Sequence, residues 1–537
     1  MRTLVHIPRP NQGFHVGFAI TCAFALSQLD LSSVDILICN DSDNYCPVKT
    51  YFDKTPVYGH CAECDSNTDY FLSLIKRFNS HNANKINVFY VKDFLDDANT
   101  FTSEMAQQEL EEFSTRYRNH AKHLHLLNDP IDYTWLSELL SLNQISCQDI
   151  VDGNFCHETA IDLIKLSHRT RSIAKNFLHS RNYDKYIVYN ARHTHARTFW
   201  RSLQSILPFC DCFIHEAGVR TDSFLLLANC SPEATFENLP LEIFPYGIPS
   251  SLINDFHVAA CLDKPSTTDV INYFSDKLSG RRGFYQNRVV VSSPSKSLQL
   301  IKSNPKNPTI LLLLASVDEV ACPYPVDRVL FEHRLVPLMI KHLASLNYNI
   351  LVKLHPRSNC QLTNKLYSNN SYKSFVNKVS KIADAYSSVH LFYPKSSESS
   401  YDLMALSDVA ISLFSIAAVE AQALGTPAMV HARCRGSSFS SANINSLDVN
   451  NAFSQFKQIL PVLITRSSDR QYRRDSANHA RTFLTKIYTQ NELQLPGFRD
   501  FLPHVSFEWM KIVEQIITNP DYAKSELMYK LYSKLGF

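Results

Sequence analysis

The sequence predicts an α/β protein of two Rossmann-like lobes, each a parallel sheet with crossover helices, facing each other across a central cleft. Three observations predict it. Short apolar runs alternate with helix-length segments in two separate series, the pattern of strand–crossover–strand units. Ser303-Asn304-Pro305-Lys306-Asn307-Pro308 lies between the series and reads as a hinge. Immediately after it, Thr309–Ala315 is a continuous apolar run of the kind buried on both faces of a parallel sheet. The expected division is 1–300 for a first lobe with a helical insertion, 301–490 for a second lobe, and 491–537 for C-terminal helices packing back across the hinge.

In the first series, Thr3–Ile7 reads as a strand, Pro8–Gly13 as a break and Val16–Leu29 as a packed helix. Val34–Cys39 and Val88–Val91 follow as strands. From Ser103 to about Asn143 the chain reads as helical, interrupted at Asn128-Asp129-Pro130. Glu158–Ser180 fits a helix, and Tyr186–Tyr189 and Phe213–His215 fit strands. Pro245 to about Pro308 is rich in turn formers, with a helix expected at Thr268–Leu278. The second series alternates strands at Asn349–Leu354, Val389–Tyr393, Val409–Leu413 and Ala428–Val430 with helices at Phe331–Leu346, Tyr372–Tyr386, Ser400–Leu406 and Ala417–Leu424. Helices then cover about Arg470–Thr489 and Phe507 onward.

The 537 residues are 45% hydrophobic and 19% charged, a globular balance that excludes a disordered or collagen-like chain. Lys+Arg 53 against Asp+Glu 51 leaves a formal charge of +2, so no overall positive field argues for nucleic-acid binding. The longest apolar runs, Ile310–Ala315 and the mixed Phe14–Leu26, fall short of the ~20 residues that span a bilayer. Met1–Pro8 lacks a long apolar core and a small-residue cleavage site, so a cytoplasmic protein is expected. The 14 scattered cysteines read as reduced thiols. Cys46, His60, Cys61 and Cys64 approach zinc-knuckle spacing, but the second ligand pair is incomplete, and thiols in a loop-rich stretch are the expectation.

Ligands of open α/β sheets bind outside the carboxyl ends of strands, so chemistry is sought there. The strand Asn349–Leu354 runs into His355-Pro356-Arg357, where an imidazole and a guanidinium could both meet a phosphate. The buried strand Val409–Leu413 leads to Ser415, a plausible helix N-cap. Free N–H groups at such a helix start favour an anion. Glu420 follows within the helix, placed to accept hydrogen bonds from ribose hydroxyls, and Gly425-Thr426-Pro427 turns the chain into the next strand.

His355-Pro356 together with Ser415, Glu420-Ala421, Gly425 and Pro427 resembles the nucleotide-binding lobe of GT-B glycosyltransferases of bacterial capsule and lipopolysaccharide synthesis. Ser316, Asp318 and Glu319 after the hinge strand, and Ser400-Tyr401-Asp402-Leu403, resemble in particular the retaining β-Kdo transferases. In the first lobe, Asn190-Ala191-Arg192, with Arg197 following, is similar to that family's Asn-Gly-Arg strand end, with Ala191 in place of glycine. Glu216-Ala217-Gly218, with Arg220 and Asp222 beyond, is similar to its Glu-x-Gly segment. The likeness runs from about residue 100 to 490.

The resemblance implies transfer of Kdo from CMP-β-Kdo, with retention, onto a bacterial surface glycan or lipid-linked acceptor. Glu216 and Asp222 are then the candidate catalytic carboxylates, either one the nucleophile or base. His355, Pro356, Arg357, Ser415, Glu420, Ser316, Asp318 and Glu319 would bind the donor, and Asn190, Arg192, Arg197 and Arg220 an acidic sugar or the acceptor. No cofactor beyond the nucleotide-sugar co-substrate and no catalytic metal is expected. Asp41-Ser42-Asp43 looks like a metal-binding Asp-x-Asp but lies in a Ser/Asn-rich turn. A teichoic-acid-type polyol-phosphate transferase with a CDP-linked donor, or an inactive glycan- or nucleotide-binding relative, are the competing readings. Envelope-assembly enzymes at the inner face of the membrane are the expected partners. Asp521–Phe537 could form an amphipathic helix that touches lipid.

Overall fold

The computed structural model describes residues 1–8, 13–29, 33–40, 62–95, 101–120, 133–143, 145–189, 193–217, 223–229, 270–271, 274, 307–315, 328–355, 371–394, 396, 398–432, 437–489, 492–494 and 507–519. The first unit runs β1 (Arg2–Ile7), α1 (Gly13–Ser27), β2 (Ser33–Ile38), α2 (Ala62–His81) and β3 (Ile86–Tyr90). A helical insertion follows, α3 (Ser103–His120), α4 (Leu136–Asn143), α5 (Cys147–Val151) and α6 (His157–Leu178). The chain then returns through β4 (Lys185–Tyr189), α7 (Thr194–Ile206), β5 (Asp211–Ala217) and β6 (Ser223–Asn229).

The second unit runs β7 (Thr309–Leu313), α8 (Arg328–Ser345), β8 (Asn349–Lys353), α9 (Ser371–Ala385), β9 (Val389–Phe392) and α10 (Ser400–Leu406). It continues with β10 (Val409–Ser412), α11 (Ala417–Ala423), β11 (Ala428–His431), β12 (Ala442–Ile444) and α12 (Val449–Ser467). Three elements close the described chain: α13 (Arg470–Thr489), β13 (Glu492–Gln494) and α14 (Phe507–Thr518).

The strands form two sheets, ordered β13-β6-β5-β4-β1-β2-β3 and β12-β11-β10-β7-β8-β9. The six-stranded sheet is parallel throughout. The seven-stranded sheet is parallel from β5 to β3, but β6 and β13 each pair antiparallel with their neighbours. This α/β architecture of two doubly wound units is the one the sequence predicts; the antiparallel edge departs from the expected all-parallel sheets. In each sheet the chain order reverses beside the first strand of its unit, between β1 and β4 and between β7 and β10. These are the topological switch points where open α/β sheets bind ligands.

Burial explains why these segments adopt these elements. All residues of β7, β10 and β11 are buried, as expected of central parallel strands covered on both faces. α1 is apolar around almost its whole circumference, and Val16 to Leu26 are all buried, which leaves no face for solvent. It lies between the first sheet, α2 and α14, with Phe24 stacked on Phe78 at 4.6 Å and with Val513, Ile516 and Ile517 in the same core. Each such side chain contributes about 1.5–3 kcal/mol by leaving water. The insertion has its own core around Phe113, Tyr117, Trp135 and Leu163.

The two units touch through polar contacts as well. Asp149, in the capping box of α5, accepts at Oδ1 from the backbone N–H of Ser371 at the start of α9, 2.9 Å away. After α13 packs on α11, the chain returns to the first sheet through β13. α14 then meets α2 through an Arg77–Glu514 ion pair and the Asn82 amide donating to the Ile517 carbonyl.

Cys64 does not lie in a loop: it is buried in the first turn of α2, because Phe71, Leu74, Ile75 and Phe78 give that segment an apolar helical face. Cys46, His60 and Cys61, the Asp41-Ser42-Asp43 turn and Asp521–Phe537 lie outside the described residues, as do nearly all of Thr268–Leu278 and most of the hinge. Among the described residues no helix is long and apolar enough to cross a membrane.

Candidate functional site

At the second switch point, β10 ends at Ser412 and the chain turns through Leu413 and Phe414 to Ser415. The Ser412 hydroxyl accepts from Ser415 N–H at 3.3 Å, and the Ser415 hydroxyl accepts from Ala417 N–H at 3.3 Å. The capping position of α11 is occupied by Ile416 with helical backbone angles, so Ser415 closes a turn one residue earlier than a normal N-cap. Glu420 lies one turn into α11 and is 3% exposed. Its Oε2 accepts from the Tyr401 hydroxyl of α10 at 3.2 Å.

Neighbouring polar groups fix α11 in place. The Gln422 amide donates to the carbonyls of Phe439 and Ser476 and accepts from the Ser441 hydroxyl and Ala428 N–H. Gly425 has φ +102, a conformation that L side chains rarely adopt, and this lets the chain turn directly from α11 into β11. The Thr426 hydroxyl ties that turn to the Met404 carbonyl at 2.7 Å.

Two further elements reach the same edge. β8 ends in Lys353, whose ammonium donates to Ser396 Oγ at 2.7 Å and to the carbonyls of Glu398 and Tyr393 at 3.1 and 3.4 Å. Burial lowers the Lys353 pKa, with nearby Glu398 opposing the shift. This lysine pins the connection that delivers Tyr401 to Glu420. His355 follows two residues later, half-buried. On α8, Glu332 accepts from Ala315 N–H at 3.3 Å, and the Arg328 guanidinium lies over the Phe414 ring, 5.3 Å from its centroid. The sequence reading missed Tyr401 as a site side chain, along with Lys353, Arg328 and Glu332. Tyr401 had a signal, since it stands in a quoted motif; the others become visible only when the strand ends are brought together. Pro356, Arg357, Ser316, Asp318 and Glu319 lie outside the described residues.

The first switch point is built from different material. His15, in the first turn of α1, stacks on Tyr189 at the end of β4, with centroids 3.5 Å apart. His215 of β5 is fully buried, 5.7 Å from His15, 5.6 Å from Tyr189 and 5.0 Å from Phe18. Among the described residues neither nitrogen of its ring has a hydrogen-bond partner, and burial pushes its pKa down to about 3. His6 on β1 meets the Tyr186 hydroxyl at 2.8 Å and is also pushed down to about 3, by burial and then by His195. His193 precedes α7, and its Nδ1 lies 3.1 Å from Glu138 Oε1 on α4, while Glu138 Oε2 accepts from Thr194 N–H at 2.7 Å.

Glu216 lies within β5, opposite Leu225 of β6, rather than after the strand, because the β5–β6 pairing extends the ladder to Ala217. Arg197 is 3% exposed on α7. Asn190, Arg192, Arg220 and Asp222 lie outside the described residues. Among the described residues, no three His, Cys, Asp or Glu side chains are grouped to hold a metal ion.

Neither a family model nor a curated protein matches this sequence. Solved structures align over much of its length at low similarity. A glycosyltransferase from Rickettsia africae ESF-5 is 10% identical, with 96% of this chain and 99% of that chain covered at a TM-score of 0.31. A putative UDP-N-acetylglucosamine 2-epimerase from Listeria monocytogenes is 10% identical, with 90% and 93% covered at 0.28. Thermosulfurimonas dismutans KpsC, a beta Kdo 2,4 transferase, is 14% identical, with 50% and 78% covered at 0.22. Superpositions this loose carry no functional weight. The chain is thus defined by what it contains: two doubly wound α/β units, each with polar or ionisable side chains collected at its switch point.

Proposed function

We propose that the chain is a nucleotide-sugar-dependent glycosyltransferase that binds its donor at the β7/β10 switch point and its acceptor at the β1/β4 switch point. One observation carries this reading. A buried carboxylate, Glu420, stands at the carboxyl edge of a parallel sheet, held by a tyrosine hydroxyl, on a helix whose orientation is fixed by the fully bonded Gln422. A carboxylate has about four lone-pair sites, so Glu420 has the capacity to accept from the vicinal hydroxyls of a ribose in addition to Tyr401. His355, two residues past the end of β8 at the same sheet edge, would face the donor phosphates.

The donor favoured by the motif resemblance is CMP-β-Kdo, transferred with retention to a bacterial surface glycan or lipid-linked acceptor. Glu216 or Asp222 would meet the anomeric carbon as the phosphate leaves. No cofactor is invoked, and charge on the leaving phosphate would be balanced by side chains.

Thermal unfolding with CMP, CDP, UDP, GDP and ADP tests the reading, because a ligand that binds only the native state stabilises it by about 2.7 kcal/mol at a hundred times its Kd. CMP is expected to raise Tm, and Glu420→Ala to abolish the rise while still folding. A preference for UDP or GDP would overturn the Kdo donor. No shift with any of the five nucleotides would overturn the donor site.

A further inference from the structure

We propose that His193 is the general base that takes the proton of the acceptor hydroxyl, with Glu138 as its positioning residue; this rests on the glycosyltransferase reading above. The geometry is that of a carboxylate–imidazole pair. An ionised carboxylate only accepts hydrogen bonds, so the 3.1 Å contact between Glu138 Oε1 and His193 Nδ1 places the ring proton on Nδ1. The basic lone pair then lies on Nε2, and an imidazolium formed there is stabilised by the same carboxylate. Glu138 is itself held, because its second oxygen accepts from Thr194 N–H at 2.7 Å, so both members of the pair are tied to the start of α7.

Its location suits an acceptor. His193 follows β4, one of the two strands that flank the first switch point, and its ring lies 6.3 Å from that of Tyr189. Two other imidazoles of this edge are unsuited to the role. His215 is fully buried, and His15 is 5% exposed and stacked on Tyr189. His193 is different: its side chain is 19% exposed while that of Glu138 is 3% exposed, so the base reaches the surface and its orienting carboxylate does not.

In the step, the acceptor O–H proton passes to His193 Nε2 as the acceptor oxygen forms its bond to the anomeric carbon. The bond that breaks is the one from that carbon to the enzyme carboxylate of a glycosyl-enzyme, or to the donor phosphate in direct displacement, and its electron pair leaves on that oxygen. The proton on the imidazolium is then released to solvent.

The test uses the full chain, CMP-β-Kdo as donor and a Kdo-terminated oligosaccharide as acceptor. His193→Asn keeps an amide N–H where Nδ1–H stood, so it retains the bond to Glu138 while removing the base. It is expected to lower kcat for transfer by about 10²–10⁴-fold, with the donor KM and the CMP-induced rise in Tm unchanged within about twofold. Glu138→Gln is expected to lower kcat less and to move the acidic limb of the kcat–pH profile to lower pH, since the imidazole loses the carboxylate that raises its basicity. Transfer by His193→Asn within twofold of wild type would overturn the proposal. So would a parallel loss of CMP-induced stabilisation, which would make the pair a structural staple. Absence of transfer by the wild-type chain would instead overturn the underlying reading, and the base with it.

Discussion

The two switch points occupy equivalent places in two similarly wound sheets, yet the carboxylate of one is set by a single strand–helix junction while the other is assembled from residues far apart. In the second unit, Ser412, Ser415 and Glu420 fall within nine positions of one strand–helix junction, and Tyr401 lies on the preceding helix. In the first, His15, Glu138, Tyr189, His193 and His215 come from a span of two hundred residues and from three kinds of element. The strand–helix junction of the second site is held by hydrogen bonds from Tyr401, Ser412, Ser415 and Gln422. The first combines ring stacking with buried imidazoles, two of them with strongly depressed pKa values. A site of hydroxyls, amides and carboxylates suits a fixed polar ligand, whereas imidazoles supply proton chemistry.

The largest expected effect follows from those imidazoles. His6 and His215 in the first unit and His333 in the second are each pushed down to about 3 by burial, with His195 adding to the shift at His6. An unfolded imidazole takes a proton near pH 6.5, while these refuse one until about pH 3. Their contribution is therefore fully present above about pH 6.5 and falls as pH is lowered, by about 1.4 kcal/mol per group for each pH unit. Burial lowers the His342 and His390 pKa values of the second unit as well, so acid removes stability from both units. Hydrogen exchange of the intact chain at pH 7 and pH 5, corrected for intrinsic rates, is expected to show β1 and β5 in the first unit and α8 in the second losing protection. Unchanged protection in these elements would contradict imidazoles held neutral by burial.

A smaller effect sharpens it. Tyr401→Phe removes one hydroxyl from the buried Glu420 and is expected to cost about 1–3 kcal/mol, because the carboxylate keeps its desolvation penalty with one donor fewer. Chemical denaturation measures this as a lower midpoint at constant slope. No change in the midpoint would mean that the Tyr401 contact does not hold the carboxylate.

How much of this was legible in the sequence follows from the same contrast. The second unit was readable because its strands are continuous apolar runs and its helices carry clear periodicity; Ser400–Leu406 and Arg470–Thr489 match their expected bounds. α12 was missed there, with Pro461 inside it and polar residues in its first turns. α7 was missed because it starts Thr194-His195-Ala196-Arg197 with no acidic residue in its first turn, against the usual charge preference of a helix start. The missing acid arrives from another element: Glu138 bonds the Thr194 N–H. A carboxylate 56 positions away leaves no local signal, and the same is true of the stacking of His15 on Tyr189. β6 and β13 were missed because antiparallel strands interrupt the strand–helix alternation on which the reading relied.

The most direct measurement of the central claim is hydrogen exchange of the full chain with and without saturating CMP. The account predicts added protection at 409–423 and 350–355, around β10, α11 and the end of β8, with 185–217 unchanged. Protection at 185–217 instead, or none at 409–423 with CMP bound, would contradict a donor site at the second switch point.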